Sequence, residues 1–223
     1  MSPIQYFLIR RLHSLLGVIP LGIFLFAHLT TNAMAIFGVE AFDHKVYLIH
    51  SLGPLLPFVE AAVIFIPLGL HIVIGVYIAL TAKSNTGDLG YARNWAYTWQ
   101  RLSGWLALAF LAYHTISLRF IGVADGMGFF AYLAEAFKNP LFTAAYFLGG
   151  VAVIYHFANG LCTFCMTWGL TVGPTSQKYM AYIATGVGLV LMGMMMASIV
   201  GFVIAEIPTE VTFPASSQFA LSH

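Results

Sequence analysis

An all-α, polytopic membrane bundle of five transmembrane helices is the fold class this sequence predicts, and three observations predict it. Of 223 residues, 60% are hydrophobic and only 8% charged, against about 25% charged in a soluble domain. Apolar runs long enough to cross a bilayer, about 20 residues as a helix, recur along the whole chain. The segments between them are short and punctuated by Pro54, Pro57, Pro140 and Pro174, as helix ends are. The whole of 1–223 therefore reads as one compact membrane domain.

The first span covers about Leu12 to Phe37. Its basic start and the Ala33-Met34-Ala35 ending imitate a secretory signal. The apolar stretch is span-length rather than signal-length, so it reads as a helix that stays. The second span covers about Pro57 to Ala82, the third Leu102 to Ile121, the fourth Pro140 to Trp168 and the fifth Tyr179 to Ala205. No internal repeat stands out, and the polar tail after Pro208 is expected to be loosely ordered.

A formal net charge of +1 gives no reason to invoke nucleic acid, but the distribution of charge is informative. With five spans, the N-terminal side carries Arg10, Arg11, Lys83, Arg93, Arg101 and Lys178, opposed only by Asp88. The far side carries Lys45, Arg119 and Lys138 with Glu40, Asp43, Glu60, Asp125, Glu135, Glu206 and Glu210. Lys and Arg favour the cytoplasm, so the N-terminus is expected inside and the C-terminus outside.

Four histidines, His28, His71, His114 and His156, sit one in each of the first four apolar spans. A single one reads as a polar group bonded to a neighbouring helix. Four together read as functional, because ionisable residues within membranes are rare, and imidazole is a common axial ligand of haem iron. Two haems with two histidines each would use all four. Depth sorts them at about 1.5 Å per residue: His28 and His114 lie late on outward-running helices, and His71 and His156 lie deeper on inward-running ones. The expected pairs are thus His28 with His114 towards the outside and His71 with His156 towards the inside.

Gly75 and Gly160 follow His71 and His156 by one turn on the same face. They read either as room for a flat macrocycle or as ordinary small-residue packing. Pro67, one turn before His71, is expected to kink the second helix. His13, Arg11, Arg93 and Arg101 lie near the inner boundary. They read as interfacial charges or as partners for haem propionates. Glu60, entering the second span from outside, either faces the headgroups or handles protons. Cys162 and Cys165 read as buried thiols: two are too few for an iron–sulfur cluster with four thiolates, and no βαβ context supports a redox motif. There is no GxGxxG fingerprint for a flavin. Electrons would have to arrive from another chain.

The blocks "RRLHSLLGVIPLGIFLFAH" (10–28), "GVYIALTAKSN" (75–85), "RNW" (93–95), "QRLSG" (100–104) and "HFANGL" (156–161) carry a resemblance from about Phe7 to Val200. The chain resembles the di-haem cytochrome b membrane-anchor subunit of succinate dehydrogenases, with fumarate reductases and other quinone-linked dehydrogenases as relatives. The resemblance implies two haem b groups with the four histidines as iron ligands, and a place in the bacterial cytoplasmic membrane. It also implies a flavoprotein subunit and an iron–sulfur subunit as partners on the cytoplasmic side. There Arg10, Arg11, His13 and the Lys83–Arg101 loop are expected to dock. The implied acceptor is menaquinone, and the outer haem suggests a site for it near the outer surface, within reach of Glu60 and the His44–His50 loop. Some fumarate reductases carry a glutamate two residues before the last histidine; Ile154 stands there, which favours succinate oxidation.

Overall fold

The computed structural model describes residues 2–82, 91–121 and 128–206. Lys83, Asp88, Asp125, Glu210 and the tail after Pro208, weighed above, lie outside them. Among the described residues, five helical stretches are long and apolar enough to cross a bilayer: Pro3–Phe37, Gly53–Thr81, Ala92–Ile121, Pro140–Thr167 and Pro174–Val203. Several begin before the apolar runs that predict them, because capping and propensity set the first turns and hydropathy does not report them.

The first stretch shows this. Helix α1 (Pro3–Val18) starts on a capping box in which the Ser2 hydroxyl accepts from Gln5 N–H and the Gln5 side chain accepts from Ser2 N–H. Helix α2 (Pro20–Ala33) follows directly. The Ile19 and Ile23 amides still donate one turn back, so Pro20 interrupts the helix without ending it. A 3₁₀ turn, Met34–Phe37, closes the span. Gly38, at φ 94°, then reverses the chain in a conformation that side chains resist.

Helix α3 (Val39–His50) comes next. The segment expected as a His44–His50 loop is therefore helical. Val39, Phe42, Val46 and Ile49 recur at helical spacing, and Phe42 is 1% exposed. The second span consists of α4 (Leu56–Glu60), a π turn at Ala61–Phe65 and α5 (Ile66–Thr81). Pro67 brings no N–H to the ladder, and the wide turn just ahead of it is where such a defect is absorbed.

Helix α6 (Ala92–Thr115) makes the third span and runs into a second π turn, Ile116–Ile121. Arg93 to Arg101, expected in a loop, thus form its first turns. Short α7 (Phe129–Phe137) buries Phe130, Leu133, Ala134 and Phe137 on one face. Helix α8 (Pro140–Thr167) is capped by Asn139, whose carbonyl oxygen accepts from the Leu141 and Phe142 amides. Helix α9 (Pro174–Val203) is the fifth span.

Helix α1 packs on α5, α6 on α8, and α9 braces both α2 and α8. The densest packing lies at the far end, where Phe42, Phe130, Phe137, Leu191 and Phe202 join α3, α7 and α9 in one cluster. Phe137 stacks on Phe202 at 5.5 Å. Elsewhere large apolar side chains such as Ile23, Val73, Leu148 and Leu189 point outward, as helices in hydrocarbon allow.

Gly201 sets how closely α9 approaches the first span: a Cβ there would lie 2.5 Å from backbone atoms of Ala35 and Ile36. At Gly150 the obstacle is only the Met195 sulfur, 2.2 Å away at the end of a flexible side chain. Gly201→Ala is therefore expected to destabilise the detergent-solubilised protein by about 1–3 kcal/mol, and Gly150→Ala by less. Thermal unfolding of the two variants side by side checks the order.

Candidate functional site

One cavity of about 1950 Å³ runs through the bundle, from Arg10, Tyr97 and Arg101 at the N-terminal end to His44, His50, Glu60 and Arg119 at the far end. All four mid-span histidines line it. Its walls are α1, α2, α5, α6 and α8, with α3, α4, α7 and the end of α9 lining the far end.

The histidines meet in two pairs of closely similar geometry. His28 of α2 faces His114 of α6 with ring centroids 5.7 Å apart and planes at 88°. His71 of α5 faces His156 of α8 at 6.2 Å and 89°. Two imidazoles sharing one metal ion at about 2 Å each, as imidazole–zinc bonds are, have ring centres about 6 Å apart. Among the described residues, no group of three or more His, Cys, Asp or Glu side chains comes together to hold a metal ion. Each pair thus suits an ion whose other positions are filled by a group with its own donors. Haem is such a group, and the residues present fit it.

The two pairs differ in how their rings are held. At the N-terminal end, His71 Nδ1–H donates to the His13 carbonyl at 2.9 Å, and His13 Nδ1–H donates to the His71 carbonyl at 3.1 Å. The two rings stack at 3.9 Å. His156 Nδ1–H donates to the Gln100 carbonyl at 3.0 Å. A carbonyl only accepts, so Nδ1 carries the proton on each ring and the Nε2 lone pair is left for a metal. At the far end the packing is mostly aromatic: Phe24 lies 5.3 Å from His28, and Phe110 and Tyr146 lie 5.5 and 5.7 Å from His114, with Asn32 Nδ2 at a long 3.5 Å from His28 Nε2. His114 Nδ1 is buried without a hydrogen-bond partner among the described residues.

Several expected site residues have other duties. A Cβ on Gly75 would meet the His13 ring at 2.8 Å, and one on Gly160 would meet Gln100 at 3.5 Å. These glycines admit a side chain from the neighbouring helix, and both also line the cavity. Arg11 donates to the Thr167 carbonyl and lies between the Phe7 and Trp168 rings, and Arg93 donates to Gln177 at 2.8 Å. Both tie helix ends together, and neither lines the cavity. His13 and Arg101 do line it, with the Arg101 guanidinium over the Tyr97 ring. Cys162 and Cys165 are free thiols outside its wall.

At the far end Glu60, 19% exposed, is not a lone acid: Arg119 donates to it at 2.7 Å. Each sits at one of the π turns. Asp43, also in the wall, has its carboxyl held above the usual carboxylate range by burial. Arg10, expected at a docking face, also lines the cavity, whereas Gln100, Gly17 and Gly104 in its wall were missed by sequence reasoning. A signal for these three existed, since Gly17 and Gly104 follow His13 and Gln100 by the same interval that separates Gly75 from His71.

The succinate dehydrogenase cytochrome b558 subunit of Bacillus subtilis (strain 168) is 43% identical to the chain over 183 residues, covering 82% of this chain and 90% of that protein. No family model matches the chain, and no solved structure matches it significantly.

Proposed function

The chain belongs to the succinate dehydrogenase cytochrome b558 subunit family, a membrane-anchored cytochrome b, and on that premise we propose that it carries electrons across the bilayer to menaquinone. In this reading an iron–sulfur subunit, itself fed by a flavoprotein subunit, docks at the N-terminal, cytoplasmic end. Two b haems are held by His71 with His156 and by His28 with His114. The single observation that carries the reading is the recurrence of one imidazole-pair geometry at two places in one end-to-end cavity. Haem iron, when bound, supplies a carrier that gains and loses one electron without a proton.

The chain's own residues supply the rest. Arg10 and Arg101, in the cavity wall at the cytoplasmic end, are placed to neutralise propionates of the inner haem. The apolar wall excludes water along the route. At the far end Glu60, Arg119, Asp43, His44 and His50 surround the cavity mouth, where reduction of menaquinone to menaquinol consumes two electrons and two protons. Arg119 holds the Glu60 carboxylate in one position at 2.7 Å, so a proton taken up there has a defined acceptor oxygen. Ile154, where a proton-carrying glutamate sits in some fumarate reductases, is 3% exposed and packed with Leu191 and Met195. That apolar setting supports succinate oxidation as the direction over fumarate reduction.

His28→Leu is expected to abolish one reduced b-type signal while the other remains, with His71→Leu removing the complementary one. Difference spectra of membranes holding each variant check this, and loss of the same signal in both variants would overturn the pairing.

Menaquinone is a weak acceptor for succinate electrons, and inward-to-outward transfer lets the membrane potential add driving force. One charge crossing is worth about 2.3 kcal/mol per 100 mV, so two crossing fully gain about 4.6. Succinate-to-menaquinone turnover in energised membranes is expected to fall when an uncoupler collapses the potential; an indifferent rate would refute the outer site. Glu60→Gln is expected to slow quinone turnover about tenfold or more while both haem spectra stay unchanged. A normal rate in stopped-flow or steady-state assays would remove Glu60 from the proton route.

A further inference from the structure

The two histidines of the inner pair are held by one device used twice. In the first copy, His13 and His71 exchange Nδ1–H bonds to each other's carbonyls, and Gly17 and Gly75, one turn on, leave room for the facing ring. A Cβ on Gly17 would lie 2.5 Å from His71 Cε1. In the second copy, His156 Nδ1–H donates to the Gln100 carbonyl and Gln100 Nε2–H donates to the His156 carbonyl, both at 3.0 Å. A Cβ on Gly104 would lie 3.1 Å from His156 Cε1, and one on Gly160 3.5 Å from Gln100 Nε2. Helices α1 and α5 thus relate to each other as α6 and α8 do, and Gln100 stands where His13 stands.

The amide of Gln100 is not free to turn over. Its Oε1 accepts from Asn159 Nδ2–H at 2.7 Å, which leaves only Nε2 to meet the His156 carbonyl. The bond draws the α8 backbone at His156 against α6, and that contact keeps the Gln100 carbonyl within reach of the His156 ring. A ligand histidine whose second nitrogen is bonded in this way is fixed in tautomer and direction and made more basic.

We propose that Gln100 is a positioning residue for His156, the counterpart of His13 for His71, and that the two positions accept each other's side chain. The proposal rests on the reading of His71 and His156 as inner haem ligands. Gly160 leaves the room at position 100 that a ring needs, as Gly75 does at position 13.

The test uses the whole complex in membranes, with low-temperature EPR of the oxidised haems and redox titration. In Gln100→Leu the low-field resonance of the inner haem is expected to shift and its midpoint potential to rise, with the outer haem unchanged. Gln100→His is expected to restore both inner values. Asn159→Leu should move them the same way by less, and it decides the matter if Gln100→Leu does not assemble. Unchanged inner values in the assembled Leu variant, or failed restoration by histidine, would overturn the role of Gln100. His156→Leu separates the two claims: an inner haem surviving that change would refute the ligand reading itself.

Discussion

An imidazole inside hydrocarbon has two nitrogens to satisfy, and the helices around it have already used their amides on themselves. What a helix still offers is the second lone pair of its carbonyl oxygens. A ring from a neighbouring helix reaches one only if the two backbones come unusually close. In this protein glycines at positions 17, 75, 104 and 160 permit that approach, and the carbonyls of His13, His71 and Gln100 accept the ring protons. The pairing of α1 with α5 and of α6 with α8, the tautomer of the inner rings and the shape of the cavity all depend on this close contact.

Support is distributed unevenly along the cavity. Near the N-terminal end the rings are held by hydrogen bonds to backbone, a directional restraint. Near the far end they are held by aromatic neighbours, beneath a cap in which Phe42, Phe137 and Phe202 are almost wholly buried. Helix α9 contributes no histidine, yet it supplies much of that buried core and joins α2 to α8. It is a brace, and its value is that the four histidine-bearing helices need not pack tightly against each other along their whole length.

Much of this was legible in the residues. Composition gave five spans, and the fixed rise of a helix in alternating directions was enough to sort His28 with His114 and His71 with His156. What failed to show had physical reasons. Hydropathy does not see the polar first turns of α1, α6 and α9. A glycine reveals that a face is empty, and only the neighbouring helix reveals that His13 or Gln100 fills it. Gln100 carries no charge or metal-binding chemistry to attract notice, and the twofold device is spread over four separate helices. The partner of Glu60, Arg119, lies on a different span, so no local spacing pairs them.

The π turns at Ala61–Phe65 and Ile116–Ile121 have a consequence for how the helices are phased. A wider turn inserts an extra residue, so everything beyond it is rotated about the axis relative to an unbroken helix. His71 and His114 lie on the regular side of these defects, while Glu60 and Arg119 lie at or beyond them. One helix can therefore turn a histidine inward over half its length and an ionic face inward over the other half, although no single 3.6-residue stripe would align both. Deleting one residue from either turn would leave the histidines in register and swing the acid or its guanidinium away, uncoupling the two ends of the molecule by rotation alone.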